Sequence, residues 1–213
     1  MKTDDLISLL ATGAGAVESH AAERRCAKAM AVGAIGALLV MLSMLSIRHD
    51  LADAAMLPMF WLKIGFVASM VSASLFAVLR LSRPGARIDW VARLIAAPVL
   101  VMWVIAAYVL IQADPSERSD LFYGSTSAYC PFLIALFSVP AFVSVTWAMK
   151  GLAPTRPRLA GFAAGLLSGA IAALVYCLHC PEIEAPFVGF WYVLGMLIPA
   201  GAGAVLGRAL LRW

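Results

Sequence analysis

Apolar residues run along the chain in long blocks, separated by short polar connections that carry most of the charge. Six blocks reach the ~20 residues needed to cross ~30 Å of hydrocarbon at 1.5 Å per residue. They cover roughly Ala27–Ile47, Leu57–Leu79, Trp90–Ile111, Tyr129–Met149, Leu159–Leu178 and Phe187–Leu206. The alternating pattern of a membrane barrel is absent. Lipid offers backbone groups no partner, so each block must be helical. The pattern predicts an all-α polytopic membrane protein, a bundle of six transmembrane helices.

Composition agrees. Hydrophobic residues make up 63% of the 213 and charged residues 13%, against ~45–50% and ~25% in soluble domains. A soluble globule could not hide that much apolar surface, and a disordered chain needs the opposite bias. The start, MKTDDLISLLATGAGA, places Asp4 and Asp5 where a signal peptide would continue its basic region, so it reads as a retained segment.

Net charge is only +4, but its distribution is two-sided. One side of the six spans holds 13 basic residues: Lys2, Arg24, Arg25, Lys28, Arg80, Arg83, Arg87, Arg93, Lys150, Arg156, Arg158, Arg208 and Arg212. The other side holds Arg48 and Arg118, with seven of the 12 acids. The positive-inside rule puts the basic side, and with it both termini, in the cytoplasm. These cations read as topology determinants that touch anionic lipid rather than as a nucleic-acid surface. Residues 1–26 then form a cytoplasmic segment and residues 27–213 the transmembrane domain.

Within the spans, Gly161, Gly165 and Gly169 recur every four residues, as do Gly203 and Gly207. That spacing lets helices approach closely; a homodimer face is the alternative use. Pro98, Pro140 and Pro199 are expected to act as ordinary kinks. Lys63, two residues after Trp61, is expected to snorkel to the outer interface, a functional site being the alternative.

Three of the four cysteines share the outer membrane level. Cys130 opens span four, and Cys177 and Cys180 close span five in Cys-Leu-His-Cys-Pro-Glu, with His179 between them. Cys26 lies at the cytoplasmic foot of span one and should stay reduced. The outer cluster admits three readings. One is a structural disulfide, with Cys130–Cys180 as one pairing. Another is a redox or soft-metal sensor, in which Cys130, Cys177, His179 and Cys180 are the contacts. The last is a thiol–quinone oxidoreductase. A transporter is disfavoured by the scarcity of polar groups in the spans. No cofactor is implied.

At the other end of the chain, Thr3 can cap a helix with Asp4 and Asp5 in its first turn, where acids favour the dipole. Leu6, Ile7, Leu9 and Leu10 complete a short amphipathic helix, too short to be stable alone in water. It should lie on the membrane or dock in a partner's groove. The small-residue stretch ATGAGAVESHAAERR would let it reach a soluble partner.

Together, MKTDDLI at the start, six spans with both ends inside, LAPTRPRLAG after span four, LHCPE after span five and WYVLG in span six resemble the NrsF-type proteins, negative regulators of sigma F. The resemblance covers essentially the whole chain. It implies a non-enzymatic inner-membrane anti-sigma factor for an extracytoplasmic-function sigma factor. The cytoplasmic N-terminal segment would hold the sigma factor through Asp4, Asp5, Leu6, Ile7, Leu9 and Leu10. Outward-facing cysteines would sense stress; by position these are Cys130 and Cys180, with Cys177 an extra thiol.

Overall fold

A computed structural model describes residues 3–13, 20–83, 89–152 and 154–212. The described residues are all-helical, with no strand. In chain order the helices are α1 (Thr3–Gly13), α2 (Ala21–Met44), α3 (Leu51–Ala54), α4 (Pro58–Leu81), α5 (Asp89–Gln112), α6 (Arg118–Tyr123), α7 (Cys130–Phe137), α8 (Val139–Lys150), α9 (Pro157–Tyr176), α10 (Ala185–Phe187) and α11 (Val193–Leu210); a π-helical turn, Val188–Tyr192, joins the last two.

Among the described residues, five helical stretches are long and apolar enough to cross a membrane: α2, α4, α5, α9 and the run from α10 through α11. The α7–α8 pair makes a sixth if counted as one span, bent by 44° at its break. Pro140 has no N–H to return to the preceding turn, and the helix breaks just before it, at Ser138. The Ser138 hydroxyl donates to the Ala135 carbonyl at 2.6 Å. Expected as an ordinary kink, Pro140 instead marks a division into two helices. Pro98 and Pro199 stay inside single helices.

α9 is the hub. Fourteen of its 20 residues are buried, and it packs against α2, α4, α7, α8 and α11. Its glycines face α11: a Cβ on Gly161 would strike the Gly203 carbonyl, and one on Gly165 the Pro199 carbonyl. The glycine ladder is thus consumed inside the protomer. α5 is the opposite case, with Val104 70% and Ile111 73% exposed. Such an apolar outer face fits a bundle surrounded by lipid.

α2 begins at Ala21, six residues before the expected span. Arg24 and Arg25 are already helical, so the boundary placed at residue 26 falls inside a helix and only residues 14–20 separate α1 from it. Contacts join the basic residues at one end of the bundle. Glu23 pairs with Arg83 at 3.7 Å, Arg25 packs against Gly151, and Gly207 against the Pro157 carbonyl. Lys2 and Arg87 lie outside the described residues. The cysteines of α7 and α9 gather at the other end.

Candidate functional site: the buried thiol cluster

Cys130 is the first residue of α7, its N–H held by the Thr126 carbonyl at 2.9 Å. α9 ends at Tyr176, and the chain turns through Cys177, Leu178 and His179 to Cys180. The Cys180 N–H still donates to the Tyr176 carbonyl, at 3.0 Å. This turn carries Cys177 and Cys180 back over the start of α7. Cys130 and Cys180 lie in one buried cluster, near enough for the Cys130 thiol to act on the Cys180 sulfur, and the Thr126 hydroxyl lies 4.0 Å from the Cys180 sulfur. All four cysteines are free thiols.

Cys130, Cys177 and Cys180 are each 0% exposed. The expectation of outward-facing thiols therefore needs correcting: all three are turned into the bundle. Tyr176 and Tyr192, both buried, wall the cluster with ring centroids 6.0 Å apart. The Tyr192 hydroxyl lies near Cys180 yet has no well-formed hydrogen bond.

Lys63 is the largest departure from expectation. It does not snorkel to water but is 1% exposed. Its ammonium donates to the carbonyls of Cys180 at 3.1 Å and Glu182 at 2.8 Å. It also lies 4.9 Å from the centre of the Tyr192 ring. The stem does point toward the thiol end, but the carbonyls of the Cys180–Glu182 strap take the place of water. The sequence showed a costly lysine; it did not show that a loop 117 residues away would fold over to accept it.

The strap is fastened on its other side. Glu182 accepts from the Ser125 backbone N–H at 2.8 Å and from its hydroxyl at 2.7 Å. Gly124 precedes with φ 52°, a left-handed conformation that suits glycine. A Cβ there would strike the Glu182 carboxylate. His179 is directed elsewhere, its Nδ1 2.6 Å from the Ser46 carbonyl oxygen. Beside it, Arg48 donates through its backbone to the Leu178 carbonyl. Its guanidinium holds Asp50 through bonds of 2.8 and 2.6 Å, lowering that carboxyl to about 2.

Two thiols in contact can be joined by a two-electron oxidation. Cys180 is poised for this: its bond with Cys130 pulls it down to about 5 against the opposing effect of burial, with Lys63 adding electrostatic pull. A thiolate is the species that attacks an oxidised sulfur. No group of three or more His, Cys, Asp and Glu among the described residues is arranged to hold a metal. The four soft-metal contacts expected from sequence thus do not come together as one ligand set. Glu182, Ser125 and Gly124 are the participants that sequence reading missed, and only the Cys-Pro-Glu adjacency pointed at one of them; Lys63 stood out in sequence but was not placed beside the thiols.

In the N-terminal segment, α1 forms as expected, with Asp4 and Asp5 in its first turn; Thr3 is itself helical. Asp4 and Asp5 are exposed, and Ile7 is 59% exposed. The side chains of Leu6, Leu9 and Leu10 lie outside the described residues.

Comparison with known proteins places this arrangement. The family model described as negative regulator of sigma F matches residues 10–213. A curated protein of Azospira oryzae named probable anti-sigma-F factor NrsF is 63% identical over 213 residues, covering all of both chains. The anti-sigma-F factor NrsF of Caulobacter vibrioides is 40% identical over 217 residues, again covering both chains in full. No solved structure matches. The chain belongs to the NrsF family, the negative regulators of sigma F.

Proposed function

We propose that this chain is a membrane-embedded anti-sigma factor. It sequesters an extracytoplasmic-function sigma factor through its cytoplasmic N-terminal segment and releases it on a periplasmic oxidant or thiophilic-metal signal. The reading is regulatory rather than enzymatic. The positive-inside rule supports its orientation, with basic end and both termini in the cytoplasm of the inner membrane and the thiol end in the periplasm. The observation that carries the sensing half is the contact between Cys130 and Cys180, which ties α7 to the turn after α9.

In the oxidative branch, Cys180 reacts as the thiolate and Cys130 gives up its proton, the pair passes two electrons to the oxidant, and an S–S bond forms. The bond shifts the packing of α7 against α9, the hub to which α2 is also packed. α2 follows the sigma-binding segment in sequence, so it is the element through which the shift reaches the arm. A disulfide is worth ~2–4 kcal/mol. Full reversal of a 1:99 equilibrium needs ~5.5 kcal/mol. The switch therefore works only if the bound state is favoured by a modest margin at rest.

Replacing Cys130 and Cys180 with Ser should abolish induction of sigma-dependent transcripts by oxidants while leaving the sigma factor bound. Co-purification from detergent extract measures the second half. Normal induction in the double variant would defeat the sensor role, and absence of any sigma factor from the extract would defeat the anti-sigma role.

A further inference from the structure

At the basic end, α2 and α8 touch and then part. They meet where Gly33 faces Ala141; a Cβ on Gly33 would lie 2.6 Å from the Ala141 Cα. One turn nearer the basic end, the Ser144 hydroxyl donates to the Ala29 carbonyl at 2.9 Å. Beyond that clamp a cleft of about 460 Å³ opens between the helices. Arg24, Arg25 and Lys28 line it from α2, and Ser144 and Trp147 from α8.

Among the described residues that line this cleft there is no carboxylate. Glu23, the acid beside it in sequence, bonds His20 at 2.6 Å and Arg83 at 3.7 Å instead. The Arg25 guanidinium stacks 4.8 Å from the centre of the Trp147 ring, and its Nε is buried without a hydrogen-bond partner. A buried N–H donor lacking an acceptor is costly, and here it stands in a concentration of positive charge. Beside the cations the lining is apolar and outward-facing: Val32 is 63% and Trp147 67% exposed. The cleft thus offers cations at its mouth and a hydrocarbon-compatible wall along its length. An indole at the boundary is the usual marker of a membrane interface.

We propose that the α2–α8 cleft is a binding site for an anionic phospholipid, with the phosphodiester held by Arg25 and Lys28 and an acyl chain laid along Val32 and Trp147. Charge complementarity and the two-part lining select a lipid over a free anion, since inorganic phosphate would use the cations and leave the apolar wall bare. Occupancy would pin the foot of α2, from which the N-terminal segment departs. The proposal rests on the basic end lying at a lipid surface and is independent of thiol sensing.

The test is native mass spectrometry on delipidated full-length protein in detergent, titrated with phosphatidylglycerol or phosphatidylcholine of the same chain length. Phosphatidylglycerol should bind at least tenfold more tightly, and R25Q/K28Q should erase the difference. R208Q, which alters a cation at the same end but outside the cleft, should keep it. Melting temperature checks folding, and because Arg25 is packed against Gly151, the exposed Lys28→Gln change alone serves as a second variant with a smaller loss. Equal affinity for the two lipids, or undiminished preference in a folded K28Q and R25Q/K28Q, overturns the proposal. Displacement of phosphatidylglycerol by millimolar inorganic phosphate without loss of the variant effect would assign the cations to a free anion and overturn the lipid site.

Discussion

At the residue scale the decisive group is Lys63. Burying an ammonium is tolerable only when it is hydrogen-bonded, and two strap carbonyls and an aromatic face supply those partners. Lys63→Met would keep the stem and leave both carbonyls unpaired. Each unpaired group costs ~1–3 kcal/mol, offset in part by relief of the buried charge. We expect a clear fall in melting temperature in detergent; an unchanged value would show that the strap does not depend on the lysine. The same side chain helps hold Cys180 near about 5, below the ordinary 9.0. Because this pKa is depressed, the stability it contributes is fully present above pH 9 and is lost as pH falls through about 5. Melting temperature should therefore drop between these limits on acidification, and Cys180→Ser should flatten that part of the profile. None of this was readable from the position of Lys63 in its own helix, because its partners come from a loop whose path depends on the tertiary fold.

At the scale of elements, much more was legible. The glycine spacing in α9 follows from helical periodicity alone, and the structure uses it for contact with α11. That contact gives a contrast between two chemically identical changes. Gly165→Ala would drive a Cβ into the Pro199 carbonyl, backbone that cannot swing away; overpacking of this kind costs ~1–3 kcal/mol. Gly65 has open space around the same atom, so Gly65→Ala should be neutral or gain up to the ~1 kcal/mol by which alanine favours helix. Thermal unfolding of the two variants side by side checks this; equal effects would refute the packing account. Less legible was the division of span four, since a proline in an apolar run kinks one helix and breaks another. The π-helical turn was invisible in sequence. It is fixed from outside, the Trp103 indole N–H donating to the Gly189 carbonyl and the Trp191 indole to the Phe122 carbonyl, both at 2.8 Å.

At the scale of the whole molecule, the distribution of charge carried further than its total. A net +4 distinguishes little, whereas basic residues gathered at one end and three thiols at the other mark the two ends that the proposed function assigns to output and input. The N-terminal helix belongs to the basic pole by sequence, with its acidic first turn and exposed Ile7. Deleting residues 1–12 should leave the bundle folded and raise sigma-dependent transcription without any signal. A normal uninduced transcript level, with the truncated protein present in the membrane, would exclude the arm as the sigma-holding element.

The clasp between Glu182 and Ser125 imposes a time constant on whatever reaches the thiols. Cysteines with 0% exposure cannot meet an oxidant directly; the strap must first open. When reagent is scarce, modification should follow the small open population, and the rate should rise in proportion to concentration. When reagent is abundant it should level off at the opening rate itself, whatever the reagent's chemistry. Glu182→Ala removes both carboxylate bonds to Ser125. If their loss is worth about 1.5 kcal/mol, opening becomes about tenfold more favourable, and alkylation of Cys180 under dilute reagent should quicken by that factor. In the proposed sensor, these two hydrogen bonds would set how often Cys180 is open to reagent, and so how much oxidant exposure is needed to register.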